Sequence, residues 1–144
     1  MPNDRTHGNA LTAAMEDYME AIYHIVEEHG YAKSGQIADR LGVHKSTVTT
    51  ALHFLKSQGY IEYEPYQDVK LNDKGREEAE GIVRRHDIFY RLLNQLLGVE
   101  KDEASALACE LEHSLSPNVA GKFIALVEKA LKKRNDCPLH KNCR

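Results

Sequence analysis

A thiol, a carboxylate and an imidazole share one short stretch, CELEHSLS at 109–116, in which Cys109, Glu112 and His113 are spaced three and four residues apart. At about 100° per residue, such positions fall on one face of a helix. Three donors meeting there could ligate a first-row divalent metal, since thiolate, carboxylate and imidazole are its usual protein ligands. Three more candidates lie elsewhere: His86 on the apolar face of a long helical pattern, and Asp17 with Glu20 near the start of the chain. Asp17 and Glu20 fall about 60° apart on a helix, opposite its apolar stripe, so they face away from the core that helix packs. Each has a plain reading: a histidine on an apolar face can be a hydrogen-bonded core residue, and Asp17 and Glu20 can belong to a solvated acidic face with His24, Glu27 and Glu28. If a second domain folds onto that face, Asp17, Glu20, His86, Cys109, Glu112 and His113 come from three helices to one dry pocket. Six such groups together would repel or titrate badly without a cation.

The elements that must carry these donors are mostly helical. Residues 11–29 place Leu11, Met15, Tyr18, Ile22 and Ile25 at helical spacing and stop at Gly30. Ser34 is expected to cap a short helix, GQIADRL, closed by Gly42 in a left-handed turn. Residues 44–58 keep Val48, Leu52 and Leu55 on one face, and Gly59 ends them. IEYEPYQDVKLN alternates apolar and polar residues around a proline-containing turn, which fits a two-stranded hairpin. A long helix is expected over 73–97, with Ile82, Phe89, Leu93 and Leu96 as its stripe and Gly98 at its end. A helical segment around 102–115 and a last helix from Pro117 through Arg134 complete the chain. The fold class is therefore mainly α: an N-terminal winged helix-turn-helix over 1–72, then an all-helical domain over 73–144.

The third helix has the composition of one that enters a DNA major groove, where small hydroxyl and basic residues reach base edges and backbone N–H groups meet phosphate. Its opening holds His44, Lys45, Ser46, Thr47, Thr49 and Thr50; Lys33 and Ser34 precede the second helix, and Tyr66, Gln67 and Lys70 in the hairpin could touch the backbone or minor groove. A Ser/Thr-rich helix start can also be no more than a cap. The order helix, helix, turn, helix, hairpin favours DNA contact. The net charge of −3, with more acids than bases in the first 71 residues, leaves a modest affinity for each copy. Pairing two copies offsets that, so a homodimer on double-stranded DNA is expected.

Composition sets the cellular context. The 144 residues, 42% hydrophobic, suffice for one good core or two small ones. The opening MPNDRTHGNA has no apolar signal region, and no run reaches the ~18 apolar residues of a membrane span. A cytoplasmic protein with no membrane partner and no small-molecule substrate is expected. Three cysteines, two of them in the last eight residues, argue for reduced thiols and leave Cys109 free to ligate.

MEDYMEAIY, QIADRLGVHKSTVTTAL, the RRH ending at His86 and CELEHSLS together resemble the diphtheria toxin repressor and manganese transport regulator family of metal-dependent bacterial repressors, over residues 11–134. The resemblance implies that Asp17, Glu20, His86, Cys109, Glu112 and His113 occupy the family's metal-ligand positions, that the first domain binds operator DNA and that the second dimerises. Asp17 matches manganese-selective members, where iron-responsive ones have methionine; Cys109 matches iron-responsive members, where manganese regulators have glutamate. The iron-type ancillary site is poorly matched, with Ile88, Phe89 and Tyr90 after His86 and Ser105 where a histidine would stand. Ending at residue 144, the chain is expected to lack the SH3-like domain of longer members and to resemble the compact manganese type.

Carboxylates suit Mn²⁺, while a thiolate shifts preference toward Fe²⁺, Co²⁺ or Zn²⁺. Mn²⁺ or Fe²⁺ is therefore expected as the signal, with Zn²⁺ or Co²⁺ binding in vitro, and the donor set admits either one ion or a bridged pair. The function implied is a metal-activated repressor of metal-homeostasis genes, not an enzyme. Two alternatives stand beside it. One is a winged-helix repressor that metal does not control. In the other, CELEH resembles the H-x-x-E-H helix of zinc proteases with cysteine for the first histidine, which would make Glu112 a general base at a catalytic zinc. The tail residues Cys137, His140 and Cys143 have zinc-like spacing on a terminal segment and are left outside the expected site.

Overall fold

The structure, a computed structural model, describes residues 11–135. Helix α1 (Ala13–His29) opens where the Thr12 hydroxyl accepts the Met15 N–H at 3.3 Å, and closes at Gly30. Helix α2 (Ser34–Leu41) begins differently from expectation: Ser34 lies inside the first turn, and the Gln36 side chain instead accepts the Lys33 N–H at 2.9 Å. A side chain three residues into the helix thus reaches back to the free donor that a serine cap would have left open. Gly42, at φ 66°, turns the chain into α3 (Lys45–Ser57). That left-handed turn suits a residue without a Cβ.

Strands β1 (Ile61–Glu62) and β2 (Lys70–Leu71) pair antiparallel, with Ile61 opposite Leu71 and Glu62 opposite Lys70. An isolated bridge between Ala32 and Val69 extends this hairpin toward the start of α2, so the wing is tied at its base. Asn72 then seats the next helix: its side chain donates to the Gly59 carbonyl at 2.6 Å and accepts the Gly75 N–H at 2.8 Å. Gly75 is required for that closeness, because a Cβ there would lie 1.8 Å from the Tyr60 carbonyl oxygen. The Arg76 guanidinium reaches Glu27 of α1 at 2.7 Å.

Helix α4 (Asp73–Arg91) does not continue as a regular helix to residue 97; Leu92–Leu96 form a π turn, closed by a 2.9 Å bond from the Asn94 side chain to the Val99 carbonyl. Helices α5 (Lys101–Ser114) and α6 (Pro117–Asn135) follow. Glu100 caps α5 by accepting the Asp102 and Glu103 N–H groups, and Pro117 fills the first position of α6, where its missing donor costs nothing.

Contacts divide the chain into two compact units between Ile82 and Val83. The first has a core of Met19, Ile22, Ile37, Val48, Leu52, Leu55 and Val69, which Ala79 and Ile82 of early α4 join. The second has two clusters. Phe89 and Leu93 pack against the small, fully buried Ala104 and Ala108, which let α5 approach closely, while Ile88 packs with Val127 and Leu131 of α6. Arg84 pairs with Glu128 at 2.6 Å, joining α4 to α6. No helix among the described residues is long and apolar enough to cross a membrane.

Candidate functional site

Within the second unit, His86 comes from α4, and Cys109, Glu112 and His113 from the last two turns of α5. The close packing of Ala104 and Ala108 positions those turns. Glu112 is 2% exposed, the one charged residue classed as buried among those described. Its two oxygens point to different imidazoles: Oε2 lies 3.5 Å from His86 Nδ1 and Oε1 lies 3.4 Å from His113 Nε2. Neither oxygen has a hydrogen bond. Cys109 Sγ and a ring nitrogen of His113 lie within 4.8 Å of one another.

A carboxylate taken out of water and left without donors is costly. Two imidazoles, a thiol and a carboxylate are the donor types a first-row divalent ion takes. The residues present therefore fit such an ion, which would give the Glu112 oxygens a positive partner.

In the first unit, Asp17 and Glu20 both lie on α1 and line a shallow depression with Ala21, His24, Arg40 and Leu41. Both are half-buried, and Glu20 Oε1 lies 3.7 Å from His24 Nε2.

The expected DNA-contacting residues separate onto distinct surfaces of the first unit. Lys33, Ser34, Lys45, Thr49, Tyr66 and Gln67 line one groove of about 480 Å³ between α3 and the wing. Ser46, Thr47 and Thr50 line a neighbouring groove with Met15, Tyr18 and Val43. His44 precedes the first turn of α3, exposed, and Lys70 lies elsewhere on the wing beside Lys56 and Glu64. The Thr49 and Thr50 hydroxyls donate to the carbonyls of Lys45 and Ser46, at 3.0 and 3.1 Å. What those two threonines turn outward is thus chiefly an acceptor.

The first groove also holds His53 and Tyr63, which sequence reasoning missed; their rings meet edge to face at 5.5 Å. The spacing Lys45, Thr49, His53 was the available signal, since each step of four repeats one face of α3. Tyr66 is fully exposed at the wing tip with φ 64°, an unusual backbone for a tyrosine. Lys56 and Glu64 tie the helix to the wing at 2.7 Å, and the ammonium holds the Glu64 carboxyl below its usual range.

Comparison with known proteins gives these surfaces a context. The family model described as iron dependent repressor, N-terminal DNA binding domain, matches residues 10–69, and that described as iron dependent repressor, metal binding and dimerisation domain, matches residues 72–140. The HTH-type transcriptional regulator MntR of Geobacillus kaustophilus is 38% identical over 117 residues, covering 81% of this chain and 82% of its own. The chain belongs to the iron-dependent repressor family.

As a member of the iron-dependent repressor family it is a metal-responsive, DNA-binding regulator. An uncharacterized HTH-type transcriptional regulator of Methanocaldococcus jannaschii is 35% identical over 120 residues, covering 83% of this chain and 96% of its own. Among solved structures, the fold is similar to T. acidophilum IdeR (25% identity, TM-score 0.67, 81% of this chain) and to a manganese-dependent transcriptional repressor in complex with manganese (30%, TM-score 0.70, 79%). The chain spans 54% and 52% of the length of those two proteins, respectively. Of the remaining sequence candidates, Cys137, His140 and Cys143 lie outside the described residues.

Proposed function

We propose that this protein is a cytoplasmic, homodimeric repressor of metal-homeostasis genes that binds operator DNA when Mn²⁺ or Fe²⁺ occupies a site made by Asp17, Glu20, His86, Cys109, Glu112 and His113, with Zn²⁺ or Co²⁺ also binding in vitro. In this reading residues 1–72 read DNA, and residues 73–144 bind metal and dimerise. The observation that carries it is the buried Glu112 carboxylate, without hydrogen bonds and set between two imidazoles, in a chain that also has a winged helix-turn-helix. Three carboxylates and two imidazoles favour Mn²⁺ or Fe²⁺, and the thiolate widens the set toward Zn²⁺ and Co²⁺.

A bound divalent ion supplies the positive charge that allows these donors to share one place. Asp17 and Glu20 belong to the helix that packs the DNA-reading core, whereas His86, Cys109, Glu112 and His113 belong to the other unit. Engaging all six therefore limits the motion of reader against dimeriser. The favoured arrangement is the one in which the two α3 helices of a dimer match successive major grooves, about 34 Å apart.

Lys33, Ser34, His44, Lys45, Ser46, Thr47, Thr49, Thr50, Tyr66, Gln67 and Lys70 make the DNA contacts. Lysines and Ser34 meet phosphate. Thr49 and Thr50, presenting acceptors, suit the amino groups of cytosine or adenine. Val119, Phe123 and Leu126, exposed at intervals of four and three along α6, offer an apolar stripe for the second copy. The test is a gel-shift series with metal-stripped protein on operator selected from a random duplex pool. Mn²⁺ or Fe²⁺ is expected to raise affinity, and equal binding without metal would favour a repressor that metal does not control.

A further inference from the structure

We infer that Cys109 makes the two ends of the Glu112 carboxylate unequal metal positions, so that this chain takes a thiophilic ion beside Cys109 and His113 and a harder, oxygen-preferring ion beside His86. The inference rests on the reading that these donors bind metal, and it concerns how many ions bind and of what kind. Glu112 Oε1 faces His113, 3.4 Å away, and Oε2 faces His86, 3.5 Å away. A carboxylate that splits its oxygens between two imidazoles is posed to bridge two ions rather than to chelate one. Its burial argues the same way, because a single ion on one oxygen leaves the other out of water and without a donor.

The two ends differ in chemistry. Cys109 lies one turn before His113 on α5, and its sulfur is within 4.8 Å of a nitrogen of that ring. An ion held by Cys109 and His113 would have a thiolate and an imidazole, a pairing that ranks Zn²⁺, Co²⁺ and Fe²⁺ above Mn²⁺. An ion on Oε2 has His86 and oxygen ligands, the set that Mn²⁺ accepts. The two positions then prefer different metals, so that a mixed supply of ions fills them unequally.

The test uses metal-stripped full-length protein, with Co²⁺ as the thiophilic probe and Mn²⁺ as the hard one. Bound metal is counted by elemental analysis after dialysis, sulfur-to-cobalt charge transfer is read in the near ultraviolet, and Mn²⁺ by electron paramagnetic resonance. The first equivalent of Co²⁺ is expected to give the charge-transfer band. Mn²⁺ added next binds once more per chain without displacing cobalt, its resonance broadened by the neighbouring ion. Cys109→Ser abolishes the band and keeps Mn²⁺ uptake, whereas His86→Ala keeps the band and loses Mn²⁺ uptake. These reciprocal losses guard against a misfolded variant, which would lose both. One ion per chain in total, Mn²⁺ displacing Co²⁺, or a band that survives Cys109→Ser overturns the inference. No bound metal at all would instead overturn the proposed function on which it rests.

Discussion

Replacing Glu112 by glutamine should invert the protein's stability ranking according to whether metal is present. The carboxylate is 2% exposed, and although an imidazole approaches each oxygen neither has a hydrogen bond, so the metal-free protein holds a buried carboxylate that no hydrogen bond satisfies. Leaving a buried polar group in that state costs about 1–3 kcal/mol, and more for a charged one. Glutamine keeps the shape and removes the charge, so metal-free Glu112→Gln should be more stable than the wild type by about that amount. For a chain of this size the melting midpoint would rise by roughly 3–12 °C. With metal at a hundred times its dissociation constant, the wild type gains about 2.7 kcal/mol from binding. The variant, having lost the central ligand, gains little. Scanning calorimetry at about pH 8, above the ordinary imidazole range, with chelator and then with Mn²⁺, reads both arms. A metal-free variant that melts below the wild type, or metal that lifts both proteins equally, would refute the argument.

Three further outcomes are expected. Lys45→Ala should weaken operator binding on all sequences and lower the slope of log affinity against log salt by about one, measured by fluorescence anisotropy; an unchanged slope would remove Lys45 from the phosphate contacts. Gly75→Ala should destabilise the first unit by at least about 1–3 kcal/mol in urea unfolding, since the new Cβ meets the Tyr60 carbonyl and α4 must withdraw; wild-type stability would show that the approach is not tight. The Glu64 carboxyl, held low by Lys56, should titrate below the ordinary value of about 4.3 in a nuclear magnetic resonance experiment. Because its pKa is depressed, its contribution to the wing is present above the unfolded value and lost as pH falls through the folded one. Lys56→Met should move that midpoint back up, and no movement would count against the pairing.

What the sequence made legible was what a single helix decides. Cys109, Glu112 and His113 could be grouped because three- and four-residue steps fix their direction, and Gly30, Gly42 and Gly59 marked where helices stop. Ser34 misled because capping depends on which nearby side chain reaches the free N–H, and Gln36 reached it. The π turn at Leu92–Leu96 left no mark, since a leucine-rich run fits either helical period and the Asn94–Val99 bond ties the turn to the connection that follows it. The split of Glu112 between two histidines depends on rotamers and on the register of α4 against α5, which one-dimensional spacing does not contain. For the same reason the hydroxyls of α3 read as one DNA face but divide between two grooves, and His53 and Tyr63 emerge only once the wing is placed.

The account turns on metal and operator stabilising one arrangement of the chain. Linkage then requires each to tighten the other by the same factor, ordinarily about 5–150-fold. The most direct measurement is the Mn²⁺ dissociation constant of the dimer, by calorimetric titration, with and without saturating operator. Tighter Mn²⁺ binding on operator, lost in Asp17→Ala/Glu20→Ala, is the predicted result. Equal constants in the two titrations would contradict the account.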